Sequence, residues 1–173
     1  MLGNHDEWFV RWAQGKGFDS AALSPMMAGQ ATLRSYGVDA RNPGEIEAQW
    51  RKVPLHHRQW LSTLATALDL QVLGESFWVI HAGVPSTEPL QGLSPHEVVP
   101  WLASNRPSTL LWSWNDPETM LPVGRTVVMG HSPRREPLDT GEVLAIDTGC
   151  GTLEDGRLTA VILPERRFVT VGC

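Results

Sequence analysis

The chain has 173 residues, of which 42% are hydrophobic and 19% charged, with a formal net charge of −5. That length suits a single domain spanning 1–173 with its own core, needing neither disulfides nor a structural metal. The acidic balance argues against a binder of nucleic acid, which needs clustered Lys and Arg, and no apolar run reaches the roughly 20 residues of a membrane-spanning helix.

The chain opens MLGNHDEWFVRW, without the basic start, apolar stretch and small-residue cleavage site of a signal peptide, so the expected location is the cytoplasm. In HDEWFVRWAQG, Trp8 and Trp12 share a helical face, Asp6 and Glu7 suit a helix N-terminus, and Gly15 and Gly17 close the segment. Asn42-Pro43-Gly44-Glu45 and Ser94-Pro95-His96-Glu97 each carry helix-start grammar, predicting helices over 43–52 and 95–104. Trp60, Leu61, Leu64 and Leu68 have helical spacing, which predicts a further helix over 55–68.

The second half changes character. FWVIHAGV, RTVVMGHS, VLAIDTGC, LTAVILP and RFVTVG are short runs rich in Val and Ile between turn residues, as expected of strands, and the last three are close enough for an antiparallel meander. Helices followed by strands predict an α+β or layered α/β fold. Cys150 and Cys173 are read as free thiols, and the pairs Arg134, Arg135 and Arg166, Arg167 as solvated turns.

Three segments share one design: GNHD at 3–6, VIHAG at 79–83 and VVMGHS at 127–132. In the latter two a histidine directly follows a strand, or stands one residue past it, where ligand sites are commonly built. Imidazole and amide oxygen are suitable ligands for manganese, iron or zinc, so Asn4, His81 and His131 are candidate ligands of one ion. Taken singly, each histidine is more often a satisfied structural residue than a ligand; combination and order set them apart.

GNHD, HAG, GHS and DTG in this order, with GQATLRSYGV at 29–38, His57-Trp60-Leu61, TLLW at 109–112 and AIDTGCGTLEDGRLTAVIL at 145–163, resemble the calcineurin-like metallophosphoesterases. The likeness is strongest to the bacterial serine/threonine phosphatase and diadenosine tetraphosphatase branch. It implies a β-sandwich flanked by helices, here truncated, and hydrolysis of a phosphate ester assisted by one or two divalent ions (Mn2+, Zn2+ or Fe2+). By the same resemblance Asn4, His81 and His131 match ligands of one metal, and His5 matches the histidine that protonates the leaving oxygen.

The resemblance also marks departures. The family's Asp-x-His and Gly-Asp-x-x-Asp segments, which carry the first metal's ligands and the bridging carboxylate, have no counterpart before GNHD. A shortened enzyme, a non-catalytic oligomerising remnant and a misassigned start are all open on this sequence. Asp6 and Asp116 are candidate supporting carboxylates, although each also fits a helix or turn cap; Glu7 and Asp147 are further donors. Trp114 stands where related sequences have a phosphate-contacting arginine, leaving Arg34 or another arginine to grip the substrate. Loss of sandwich elements would expose apolar surface, so a homo-oligomer, a dimer first, is expected. Asp147-Thr148-Gly149 also matches the aspartic-protease signature, but that chemistry needs a second, paired aspartate, and the surrounding strands match the phosphoesterase.

Overall fold

The computed structural model describes residues 1–86, 90 and 92–173, and of Pro43 only the backbone. The chain divides into two compact units, 2–64 and 65–173, with Met1 grouped with the second.

The first unit is helical. It contains α1 (Asn4–Ala13), α2 (Gly29–Ser35), α3 (Pro43–Ile46) and α4 (Leu55–Leu61), with short 3-10 turns at Ser20–Leu23 and Glu47–Lys52. The apolar face of α1 puts Trp8, Phe9 and Trp12 into a core shared with Leu33, Ile46 and Val53. Trp12 is fully buried, and its indole nitrogen donates to the Ile46 carbonyl at 2.9 Å, so its polar atom is satisfied within the core. The predicted helix over 43–52 is α-helical only to Ile46 and then tightens into a 3-10 turn, while Asn42 accepts from Gly44 N as the cap its side chain suggested.

The helix predicted over 55–68 ends at Leu61. Beyond it, Ala67-Leu-Asp-Leu-Gln-Val72 alternates in exposure, and this period of two prevails over the four-residue spacing of Leu64 and Leu68. These residues form β1 (Ala67–Val72), the antiparallel partner of β2 (Glu75–Ile80). Leu73 and Gly74 join them with φ of 48° and 91°, the positive values a tight two-residue hairpin requires.

The second unit holds the remaining strands and two helices: α5 (Pro95–Asn105), α6 (Pro107–Trp112), β3 (Thr126–Met129), β4 (Leu138–Asp139), β5 (Val143–Ala145), β6 (Asp147–Thr148), β7 (Arg157–Ile162) and β8 (Arg167–Gly172). The α5 start follows the predicted grammar, with Ser94 N donating to Glu97 Oε2 at 2.9 Å. A mixed five-stranded sheet runs β1-β2-β3-β5-β4, with β2, β3 and β5 parallel, and a second sheet is the antiparallel meander β6-β7-β8. The α+β expectation and the C-terminal meander are therefore both present.

Strand alternation sorts the larger sheet's two faces. Trp78, Ile80, Val127, Met129, Val143 and Ala145 join Val98, Val99, Leu102 and Leu110 in one core against the helices. The intervening Val79 and Val128 line a cavity of about 320 Å³, whose lining also includes buried Thr159 of the meander. The predicted run VLAIDTGC serves both sheets: β5 belongs to the first, β6 to the second, and Ile146 is the crossing residue. A row of hydroxyls, Thr148 to Thr159 at 2.7 Å and Thr159 to Thr170 at 2.9 Å, binds the three meander strands side by side.

Two expectations are corrected within this unit. Cys150 and Cys173 form a disulfide, with Cα atoms 5.8 Å apart. The register explains it: Thr148 and Gly172 both lie opposite Arg157, so the residues following β6 and β8 meet across the end of β7. Nor is Arg166 a solvated turn. Its guanidinium grips Asp139, with Nε to Oδ2 at 2.8 Å, tying the β7–β8 turn to β4 and holding the Asp139 carboxyl below the usual carboxylate range. The bridge between Cys150 and Cys173 closes a sequence separation of 23 residues, a constraint on the unfolded chain worth about 3 kcal/mol. Cys173→Ser is expected to lose that stability in denaturant titration; a mutant as stable as wild type under non-reducing conditions would show that the bond does not form.

Candidate active site

The site grows out of one parallel pairing. Register between β2 and β3 matches Val79 with Val128, so both chains leave the sheet at the same end and in the same direction. One further backbone bond, Gly130 N to His81 O at 3.0 Å, extends the pairing beyond the last paired residues. The consequence is a contact between residues 50 positions apart: His81 Nε2 and His131 Nδ1 are 3.1 Å apart, with ring centroids at 4.9 Å.

Backbone conformation holds both histidine loops. His131 has φ of 66°, the left-handed region that a side chain's Cβ disfavours and that clusters at functional sites. Gly83, two residues after His81, has φ of 89°, and a Cβ there would stand 3.0 Å from Met129 Sδ and 3.1 Å from Met120 Sδ. The glycine of HAG is thus required by backbone angle and by packing together.

Residues 113–116 and 132–134 complete the surroundings. Asn115 Nδ2 donates to Ala82 O at 2.9 Å, and the Trp114 ring centroid lies 5.0 Å from that of His131. Asp116 caps the following turn by accepting from Glu118 N, and its Oδ1 is 3.6 Å from Arg134 Nη1. Arg134 N donates to Asp147 O at 3.0 Å, which ties the backbone of this loop to the start of β6, while its half-buried guanidinium faces Asp116 rather than standing in a wholly solvated turn. Asp147 lines the cavity with His81 and His131, its Oδ1 accepting from Gly149 N.

Of the residues singled out in the sequence, His81 and His131 are brought together. Asn4, buried at the first position of α1, and exposed His5 beside it belong to the helical unit, as does exposed Arg34 in α2. Asp6 acts as a cap, its Oδ2 accepting from Gly3 N at 2.9 Å, and Asp116 caps its turn in the same manner. Among the described residues no group of three or more His, Cys, Asp or Glu side chains is gathered as a metal-binding cluster. Sequence reasoning passed over Arg134, whose signal was its place three residues after His131 in a loop leaving the same strand.

No protein-family model matches the chain, and no curated protein does. Among solved structures it is similar to a crystal structure described as "a putative diadenosine tetraphosphatase", with a TM-score of 0.51 and 18% sequence identity, covering 99% of this chain and 67% of that one. At this identity the likeness is one of fold.

Because His131 occupies the left-handed region, replacing it by Gly relieves a backbone cost that Ala retains, about 1 kcal/mol. His131→Gly should therefore melt at a higher temperature than His131→Ala; equal melting would show that the loop is not held in that conformation.

Proposed function

We propose that the chain is a phosphoester hydrolase assisted by a divalent transition metal, with His81 and His131 as the centre of the site. The observation that supports this most is their 3.1 Å approach at the ends of two parallel strands. Two imidazole nitrogens on a tetrahedral ion at about 2.0–2.1 Å stand about 3.3 Å apart, so the pair fits two positions of a ligand set with little movement. Ser132 Oγ, one residue on, is buried with no hydrogen-bond partner among the described residues, a polar atom suited to a ligand in the same loop. A bound manganese, zinc or iron ion, one or two in number, would supply Lewis acidity and a water of lowered pKa.

The chain's own groups would then divide the work. His81 and His131 hold the ion, with Asn4 as a third ligand on the strength of the sequence resemblance. His5 gives a proton to the leaving oxygen on the same ground, which avoids expelling an uncompensated alkoxide. Arg134, only loosely paired with Asp116 at 3.6 Å, offers a cation to phosphoryl oxygens, and Arg34 is the alternative proposed from the sequence. A neutral ligand set and few cations favour esters of low charge, so di- and triesters join monoesters as candidate substrates. We further propose that the chain is a relative of the bacterial phosphatase and diadenosine tetraphosphatase branch and that it dimerises. Leu158, Val169 and Val171, 60%, 43% and 56% exposed on one face of the meander, supply apolar surface for a second copy. Light scattering should give twice the chain mass, and a monodisperse monomer would remove the dimer.

One observation favours a second reading, a non-catalytic phosphate-binding remnant: no acidic cluster accompanies the histidine pair among the described residues. The two separate in one assay. Metal-stripped protein should hydrolyse nitrophenyl mono- or diesters only after Mn2+ or Zn2+ is restored, and His81→Ala and His131→Ala should each lose at least about 100-fold with circular dichroism unchanged. Absence of turnover with any of the three metals would leave the remnant.

A further inference from the structure

We propose that Trp114 is a specificity-determining residue of this site, an indole platform on which a flat aromatic group attached to the bound phosphoryl group stacks. The assignment rests on the phosphoester reading above for the nature of the bound group. It goes beyond that reading in naming the class of organic moiety the site prefers.

Three observations converge on this residue. Trp114 is 70% exposed, an unusual state for the largest apolar side chain, which is mostly buried in folded proteins. Its exposure is not that of a loose loop. On its C-terminal side Asn115 is hydrogen-bonded to Ala82 O, Asp116 caps the next turn, and Pro117 is buried. The ring is therefore presented to solvent by an anchored backbone, with its ordering cost already met in the fold.

The second observation is position. The indole centroid lies 5.0 Å from that of His131, with the ring planes inclined at 47°, and His131 in turn contacts His81. A ligand whose phosphoryl oxygens meet the imidazole pair has the indole about one ring-width away. A group bonded directly to phosphorus, or through its ester oxygen, lies at that distance.

The third is charge. An indole carries no cation for phosphate, so Trp114 cannot substitute for an arginine as a phosphate clamp. What it offers is a polarisable face and a single N–H donor. Cations stand apart from it: Arg134 Nη1 lies 3.6 Å from Asp116 Oδ1, and Arg157, which lines the neighbouring cavity, is paired with Glu136. The arrangement thus separates two tasks: a guanidinium for phosphoryl oxygens and an aromatic face for the substituent. Alkyl substituents gain contact area from such a face, whereas aryl and heteroaryl substituents gain the stacking geometry as well.

Phenylphosphonate and cyclohexylphosphonate test this directly, since they match in charge and closely in size, differ in aromaticity, and contain no ester bond to hydrolyse. Calorimetric titration of the Mn2+-supplemented protein should show the phenyl compound binding about 3- to 10-fold more tightly. Trp114→Ala should erase the difference and Trp114→Phe should keep most of it. Equal affinities in the wild-type protein, a preference that survives Trp114→Ala, or binding of neither compound would each overturn the assignment. Ester turnover measured on the same preparations keeps the two ideas apart. Turnover with no Trp114-dependent preference leaves the hydrolase and removes the platform; a Trp114-dependent preference without turnover leaves the platform and removes the hydrolase.

Discussion

Everything at the candidate site depends on β2 and β3 being parallel neighbours. Parallel strands cannot be joined by a tight turn, so the chain between Ile80 and Thr126 must cross over, and it does so through α5 and α6, which cover one face of the sheet. The same geometry sends His81 and the Gly130–His131 loop out at one end. The bond from Gly130 N to His81 O fixes how far each strand continues before it turns. An antiparallel pairing of the same two strands would have put the histidines at opposite ends of the sheet.

The strands were legible because they combine β-branched runs with turn residues, and the two histidines because each follows such a run. The left-handed φ of His131 was not legible, since the backbone angle is imposed by the sheet at both ends of the loop. β1 was missed for a local reason: Leu64 and Leu68 have helical spacing, while the alternation that decides the matter begins at Ala67 and is short. The disulfide and the pairing of Arg166 with Asp139 were missed for a non-local reason. The disulfide follows from strand register within the meander and the ion pair joins one sheet to the other, and both are relations between segments that neither segment carries alone. The caps at Asn42, Asp6 and Asp116 lay within reach of sequence because a cap needs only its own next turn.

The chemistry of the rim is set by what surrounds the imidazole pair. The Trp114 indole lies beside His131, Asp147 and Arg157 line the same cavity as the imidazole pair, and Arg134, further along the loop, faces Asp116. Electrostatic interactions among such groups gain strength as water is excluded. Arg134 and Asp116 at 3.6 Å are close enough to attract and too far for a tight hydrogen bond, so exchanging the carboxylate for a phosphoryl oxygen costs little.

The meander bears on the site through its first strand. Ile146 leaves the large sheet and Asp147 opens the small one, so the carboxylate that lines the cavity stands at the crossing between sheets. Its position therefore requires both sheets to be in register. Ile146 N bonds to Met129 O on one side, and the Thr148, Thr159 and Thr170 hydroxyls carry the order of β6 across to β8 on the other. The disulfide holds the same end of the meander, next to the cavity wall that contains Cys150. Closure at the C-terminus and placement of Asp147 are thus one structural problem, which is why so short a strand as β6 needs a hydroxyl row and a covalent bond to keep it in place.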